Sequence, residues 1–111
     1  FVEQMMVVGA EQKFVGALIV PAINNLKEWM LHKEIPFTTI EDAIHNPKVL
    51  DLYKELIDSF NKFFNHVEQI KKFELLPHEW TIDSGELTPT LKLKRKVIME
   101  KYKAAYDRIY S

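Results

Sequence analysis

Residues 2–21 read VEQMMVVGAEQKFVGALIVP. Two apolar runs, residues 2–8 and 14–20, flank the polar connection GAEQK, which starts on glycine. This is the pattern of a β-hairpin: a short Gly-containing loop reverses the chain between segments rich in Val, Ile, Met and Phe. Both runs are apolar at most positions rather than strictly alternating, which predicts a sheet covered on both faces. Pro21 has no N–H to give to a ladder and is expected to close the second strand. A start inside a strand, with no cap or leader before it, also suggests a fragment cut just upstream of Phe1.

Beyond the hairpin the apolar period changes from two towards 3.6. NNLKEWMLHKE, residues 24–34, predicts a helix of about three turns, with Leu26, Trp29, Met30 and His32 on one side and Asn24 or Asn25 as N-cap. IPF breaks it. TTIEDAI then begins a short helix, with Thr38 and Glu41 at capping-box spacing. Asn46 as N-cap and Pro47 in the first turn open the longest helix. Along it Val49, Leu52, Tyr53, Leu56, Phe60, Phe63, Phe64, Val67 and Ile70 recur at intervals of three and four. Asp51, Lys54, Glu55, Asp58, Lys62 and Glu68 take the other side, so the apolar stripe should lie on a sheet. The three phenylalanines are read as core packing in preference to a cofactor groove. KKFELLP, residues 71–77, predicts a third strand ended by Pro77. HEWTIDSGE reads as a turn, a short extended piece and a Gly turn. From about Lys94 a helical pattern returns, with Val97, Ile98, Tyr102, Ala105, Tyr106 and Ile109 on one face. The expected architecture is α+β: a small, mostly antiparallel sheet of about three strands, the hairpin plus a later strand, flanked by helices.

The length of 111 residues fits a single domain, 1–111. Apolar residues make up 47% and charged residues 28%, which places the chain among globular rather than disordered sequences. No apolar run is long enough to span a bilayer, and no signal-peptide pattern opens the chain. Cysteine is absent, so disulfides are excluded and a cytoplasmic home is expected. Charge is unevenly spread. Residues 92–111 carry seven basic groups against two acids, and the remaining residues carry eight against fourteen. A basic end on an acidic body points to an anionic partner.

Few residues offer chemistry. His32, His45, His66 and His78 show no i, i+3 or i+4 spacing, and no cysteine joins them, so a metal site is not expected. Asp83 and Glu86 flank Gly85 and read as solvated turn residues rather than a carboxylate pair. Only three glycines exist, Gly9, Gly16 and Gly85, and they build no phosphate-cradling loop. What remains is GELTPTLKLKRKVIMEKY, residues 85–102, with Lys92, Lys94, Arg95, Lys96 and Lys101. Three readings stay open on residue chemistry: a solvated helix start, a nucleic-acid patch beside Tyr102, or a lysine presented by a loop. Cations at a helix N-terminus oppose the helix dipole, so Lys94, Arg95 and Lys96 need another reason to be there. Pro89 stiffens LTPTL, and Leu91 and Leu93 could pack down and aim Lys92 outward.

GELTPTLKLKRKVI, preceded by ELLPHEWTID and followed by KY and IY, resembles the C-terminal end of AMP-forming acyl-CoA synthetases, specifically the long-chain fatty-acid branch. The opening VEQMMVVGAEQKFVGALIVP is similar to that family's strand, turn and strand. The wider superfamily closes on Pro-Lys/Arg-Thr-x-Ser-Gly-Lys; here Thr90 and Leu91 stand in place of Ser-Gly, as in the long-chain branch. The resemblance implies that Lys92 is the catalytic lysine. It would reach the parent's own N-terminal adenylation domain and bind the fatty-acid carboxylate and the ATP α-phosphate during acyl-adenylate formation. The domain would then swing so that coenzyme A forms the thioester. ATP, CoA and Mg2+ are implied for the intact enzyme and none for the fragment, which should be inactive alone. The hinge and a Gly-rich hairpin with many CoA contacts would lie upstream of Phe1. Nucleic acid is not an implied partner, and peripheral membrane contact of the parent is left open. The rivals are an anion- or nucleic-acid-binding α+β module with a basic C-terminal helix, and the C-terminal domain of another adenylating enzyme.

Overall fold

The computed structural model describes residues 1–9, 12–65 and 69–110. Strands β1 (Val2–Val8) and β2 (Val15–Pro21) are followed by helices α1 (Ile23–His32), α2 (Ile40–Ala43) and α3 (Pro47–Asn61). Strand β3 (Ile70–Leu75) and helices α4 (Arg95–Lys101) and α5 (Lys103–Ile109) complete the chain. The class is α+β, as expected. β1 and β2 pair antiparallel, from Val8 opposite Gly16 to Val2 opposite Pro21. β3 joins the far side of β2 in parallel, Val15 opposite Ile70 and Ile19 opposite Leu75. The sheet is therefore mixed rather than mostly antiparallel. The chain leaves the end of β2 and passes through three helices before β3, and such a crossover returns it to run in the same direction.

β2 is the centre of the domain because it is covered on both faces, as its continuous apolar run predicts. Ala17 and Ile19 enter a cluster with Leu26, Met30, Val49 and Tyr53 from the first three helices. Leu18 and Val20 enter a second cluster with Trp80, Ile98, Ala105 and Ile109. The same strand thus couples the helical middle to the C-terminal segment.

Helix boundaries differ in instructive places. α1 starts directly after the strand, with Ala22 at the cap position and no side-chain cap, so Asn24 and Asn25 lie inside the first turn. His32 is exposed, while Leu26 and Met30 are buried. α2 is capped by Thr39, whose Oγ1 accepts from the Asp42 N–H at 3.1 Å, one residue beyond the expected Thr38 box. Asn46 caps α3 as predicted, its Oδ1 accepting from the Lys48 N–H at 2.9 Å. The apolar stripe, however, does not stay in helix to Ile70. α3 ends at Asn61, whose side chain takes over: its Nδ2 donates to the Ile70 carbonyl at 2.8 Å, and its Oδ1 accepts from the Ile70 N–H at 2.9 Å. Ile70 consequently begins β3. Phe60, Phe63 and Phe64 are not core residues; Phe63 is 87% exposed, and Phe60 and Phe64 stack on each other at 4.8 Å. Val67 and His66 lie outside the described residues.

Replacing Asn61 by Ala strands both polar groups of a buried backbone position. The expected loss is about 2–3 kcal/mol of unfolding free energy, read as a lower urea midpoint at unchanged slope.

The C-terminal pattern also divides. Its apolar face is as predicted, with Ile98, Ala105 and Ile109 buried, but the helix breaks at Tyr102, φ −112° and ψ 30°. No helix among the described residues is long and apolar enough to cross a membrane.

Candidate functional site

The lysine stretch is built as a small hairpin before α4. At its base the Lys94 N–H donates to the Glu86 carbonyl at 2.7 Å, and Leu87 bridges antiparallel to Leu93. At its tip the Leu91 N–H donates to the Thr88 carbonyl at 2.8 Å and the Thr88 N–H to the Lys92 carbonyl at 2.9 Å. The Thr88 hydroxyl accepts from the Lys92 N–H at 3.1 Å and lies 3.0 Å from that of Thr90. Pro89 fits the first central position of such a turn because its ring presets φ. Leu91 has φ 63°, the left-handed conformation that closes a three-residue hairpin loop. Glycine adopts this conformation freely, whereas Leu91 adopts it at a steric cost.

Lys92 stands on this hairpin with its main chain held on both sides. Its side chain is exposed, and its ammonium has no partner among the described residues. The flanking leucines do not pack down as expected: Leu91 is 67% and Leu93 36% exposed. The hydrogen-bonded turn, not burial of its neighbours, aims the lysine. Apolar surface therefore borders the cation, with Leu91, Leu93 and Ile82 lining a broad trough of about 780 Å³ beside β1.

The neighbouring cations divide in role. Arg95 opens α4, and its guanidinium donates to the Val7 carbonyl at 2.7 Å, tying the helix start to the edge of β1. That contact is a reason for a cation at an electrostatically poor position. Lys94 and Lys96 are exposed.

Glu86 corrects the sequence reading most sharply. It is not a solvated turn residue but the one charged side chain buried among the described residues, at 2% exposure. Its Oε2 meets the Lys101 ammonium at 3.0 Å, and its Oε1 accepts from the Thr81 N–H at 3.3 Å. Lys101 also donates to the Ser84 carbonyl. Burial alone pushes the Glu86 carboxyl up, but the Lys101 hydrogen bond and charge, with backbone donors, hold it below its ordinary value. Burial, and secondarily the Glu86 charge, raise the neighbouring Tyr102 phenol. Asp83 is exposed, as expected.

A carboxylate depressed in the folded state stabilises it above the unfolded value, about 4.3 for glutamate, and that contribution disappears as pH falls through the lower folded value. Unfolding midpoints of Glu86→Gln and the parent chain, measured from pH 7 down to pH 3, should therefore converge at the acid end.

Two further residues support the hairpin from below. Trp80, 1% exposed, fills the second cluster beside Tyr102, their rings 6.5 Å apart. Gln4 of β1 clamps the Trp80 backbone, donating to its carbonyl at 2.9 Å and accepting from its N–H at 2.7 Å. A lone tryptophan in the polar run HEWTIDSGE was a usable signal for an anchor. Nothing local marked the ion pair of Glu86 or the clamp of Gln4, since Lys101 and Trp80 lie fifteen and 76 positions away.

Residues 1–111 match the family described as AMP-binding enzyme C-terminal domain. The chain belongs to that family. Among relatives, a long-chain-fatty-acid–CoA ligase of Mycobacterium tuberculosis, FadD15, is 33% identical over 111 residues, covering 99% of this chain and 18% of its own length. The Drosophila melanogaster long-chain-fatty-acid–CoA ligase heimdall is 37% identical over 65 residues, 58% of this chain and 10% of its own. The chain thus spans less than a fifth of the relatives it matches. In fold it is similar to the A-PCP didomain of the Segniliparus rugosus carboxylic acid reductase, solved in complex with AMP. The TM-score is 0.74 at 17% identity, over 98% of this chain and 14% of that one. As a family member, the domain carries its lysine hairpin at a surface, beside the second cluster of the sheet. The described residues hold no group of three or more His, Asp or Glu suited to a metal.

Proposed function

We propose that the chain is the mobile C-terminal domain of a long-chain fatty-acid–CoA ligase, which converts fatty acid, ATP and CoA to acyl-CoA, AMP and diphosphate. Lys92 is its catalytic residue. The observation that carries this reading is an unpartnered ammonium on a hydrogen-bonded hairpin, with no acceptor of its own among the described residues. A cation fixed at its main chain and free at its tip is suited to an anionic group held by another domain. In this reading it contacts the fatty-acid carboxylate and the α-phosphate of ATP on the parent's N-terminal adenylation domain. Carboxylate attack at the α-phosphorus expels diphosphate and gathers negative charge on the phosphoryl oxygens, which the ammonium stabilises. Rotation of the domain then withdraws the hairpin, and CoA thiol attack on the acyl-adenylate releases AMP. Mg2+ would accompany ATP on the parent's N-terminal adenylation domain. The parent works in the cytoplasm.

Pyrophosphate exchange tests the proposal. The full-length protein should exchange labelled diphosphate into ATP only with a long-chain fatty acid present, and should form acyl-CoA once CoA is added. Exchange driven by an amino acid instead would assign another adenylating enzyme. Salt-sensitive oligonucleotide binding by residues 1–111, without exchange by the parent, would favour the nucleic-acid module.

A further inference from the structure

The Glu86–Lys101 pair, with its carboxylate buried and its ammonium 42% exposed, raises a question that folding alone does not answer. Burying a carboxylate is costly, and attraction to a solvent-screened ammonium offsets only part of that cost. What the pair does provide is connection. Glu86 is the first residue of the lysine hairpin: its carbonyl receives the Lys94 N–H, while its carboxylate grips Lys101 on α4 and the Thr81 N–H. Lys101 in turn donates to the Ser84 carbonyl. Three segments meet at this carboxylate: the 81–84 turn, the hairpin base and the end of α4. The tip of the hairpin has no such anchor. Thr90, Leu91 and Lys92 are exposed, and their hydrogen bonds stay within the loop. The orientation of the tip relative to the sheet is therefore set at the base.

We infer that Glu86, clamped by Lys101, is a positioning residue for Lys92: it fixes the hairpin so that the ammonium arrives at the reacting phosphate in register. This rests on the reading of Lys92 given above. An ammonium misplaced by about 1 Å costs up to about a hundredfold in rate, because the stabilising charge must sit where the transition-state charge develops. The pair is short of the reacting atoms by the length of the hairpin, so its effect passes through Lys92.

The test is a double-mutant cycle in the full-length protein, read as acyl-adenylate formation and, separately, as thioester formation from supplied acyl-adenylate. Glu86→Gln keeps the shape and removes the charge. Its kcat for adenylation should fall about tenfold with little change in KM, and the thioester step should stay near the parent rate. In a Lys92→Ala background the same change should cost nothing further, because there is no ammonium left to misplace. If Glu86→Gln prevents folding, Lys101→Gln takes its place: it should reproduce the kcat loss, and Lys101→Arg, which keeps the ion pair, should restore the rate. An undiminished penalty in the Lys92→Ala background, or parent-like adenylation by both neutral variants, overturns the positioning role while leaving Lys92 in place. Parent-like adenylation by Lys92→Ala alone overturns the Lys92 reading, and the positioning role with it.

Discussion

Lys92→Ala, made in the full-length protein, should lower acyl-adenylate formation about 10²- to 10³-fold, the range for removing one preorganised donor from a developing oxyanion. Thioester formation from supplied acyl-adenylate should change only a few-fold, because in that step the hairpin is withdrawn. The asymmetry between half-reactions carries the prediction. A misfolded domain would lose both, whereas a lysine used only for adenylation loses one. Lys92→Arg keeps the charge but replaces a compact ammonium by a planar fork, so it should recover only part of the rate. The folding of residues 1–111 gives the complementary reading. The ammonium has no partner among the described residues and lies at an exposed position. Its removal should shift the unfolding free energy by no more than about 0.5 kcal/mol. A large stability loss, or equal loss in both half-reactions, would show that the residue serves the fold rather than the chemistry.

Trp80→Ala should have the largest effect on folding, about 3–5 kcal/mol, the range for deleting a buried aromatic side chain. Trp80 is among the largest fully buried side chains and sits where the second cluster meets the lysine hairpin. Its backbone is clamped by Gln4, so the surrounding chain cannot readily collapse into the cavity. Against a total stability of about 5–15 kcal/mol for a domain of this kind, such a loss is close to unfolding. Urea melts of residues 1–111 should show the midpoint fall with little change in slope. Trp80→Phe refills most of the cavity and should cost less than half as much. A loss under about 1 kcal/mol for Trp80→Ala would mean that the second cluster does not hold the hairpin to the sheet.

Much of the fold was legible because it rests on local rules. The apolar run of residues 14–20 announced a strand covered on both faces, whereas the equally apolar run of residues 2–8 became an edge strand with Val2 and Val7 exposed; Asn46–Pro47 announced the start of α3. The Thr-Pro-Thr turn announced a defined loop before Lys92. The errors have physical causes. The α3 stripe was read through to Ile70 because Phe60, Phe63 and Phe64 keep a helical spacing. Asn61 ends the helix by bonding Ile70, a choice that depends on β3 already lying alongside. The sheet is mixed where a mostly antiparallel one was expected, because hydrophobic period carries no information about which end of a strand meets its neighbour. The C-terminal helix divides at Tyr102, although its apolar face is continuous in sequence.

The candidate site divides along the same line. Lys92 could be singled out from the residues around it, because a cation behind a proline-stiffened turn is a local feature. That the ammonium has no partner among the described residues, that Leu91 takes a left-handed φ, and that Glu86 is buried beneath the hairpin could not. The burial of Glu86 arises only when α4 folds back and brings Lys101 to it, and when β1 brings Gln4 to Trp80. Local preference sets which segments become strand, helix or turn, since it depends on neighbours a few residues apart. Burial and charge pairing depend on which distant segments the packed sheet brings into contact.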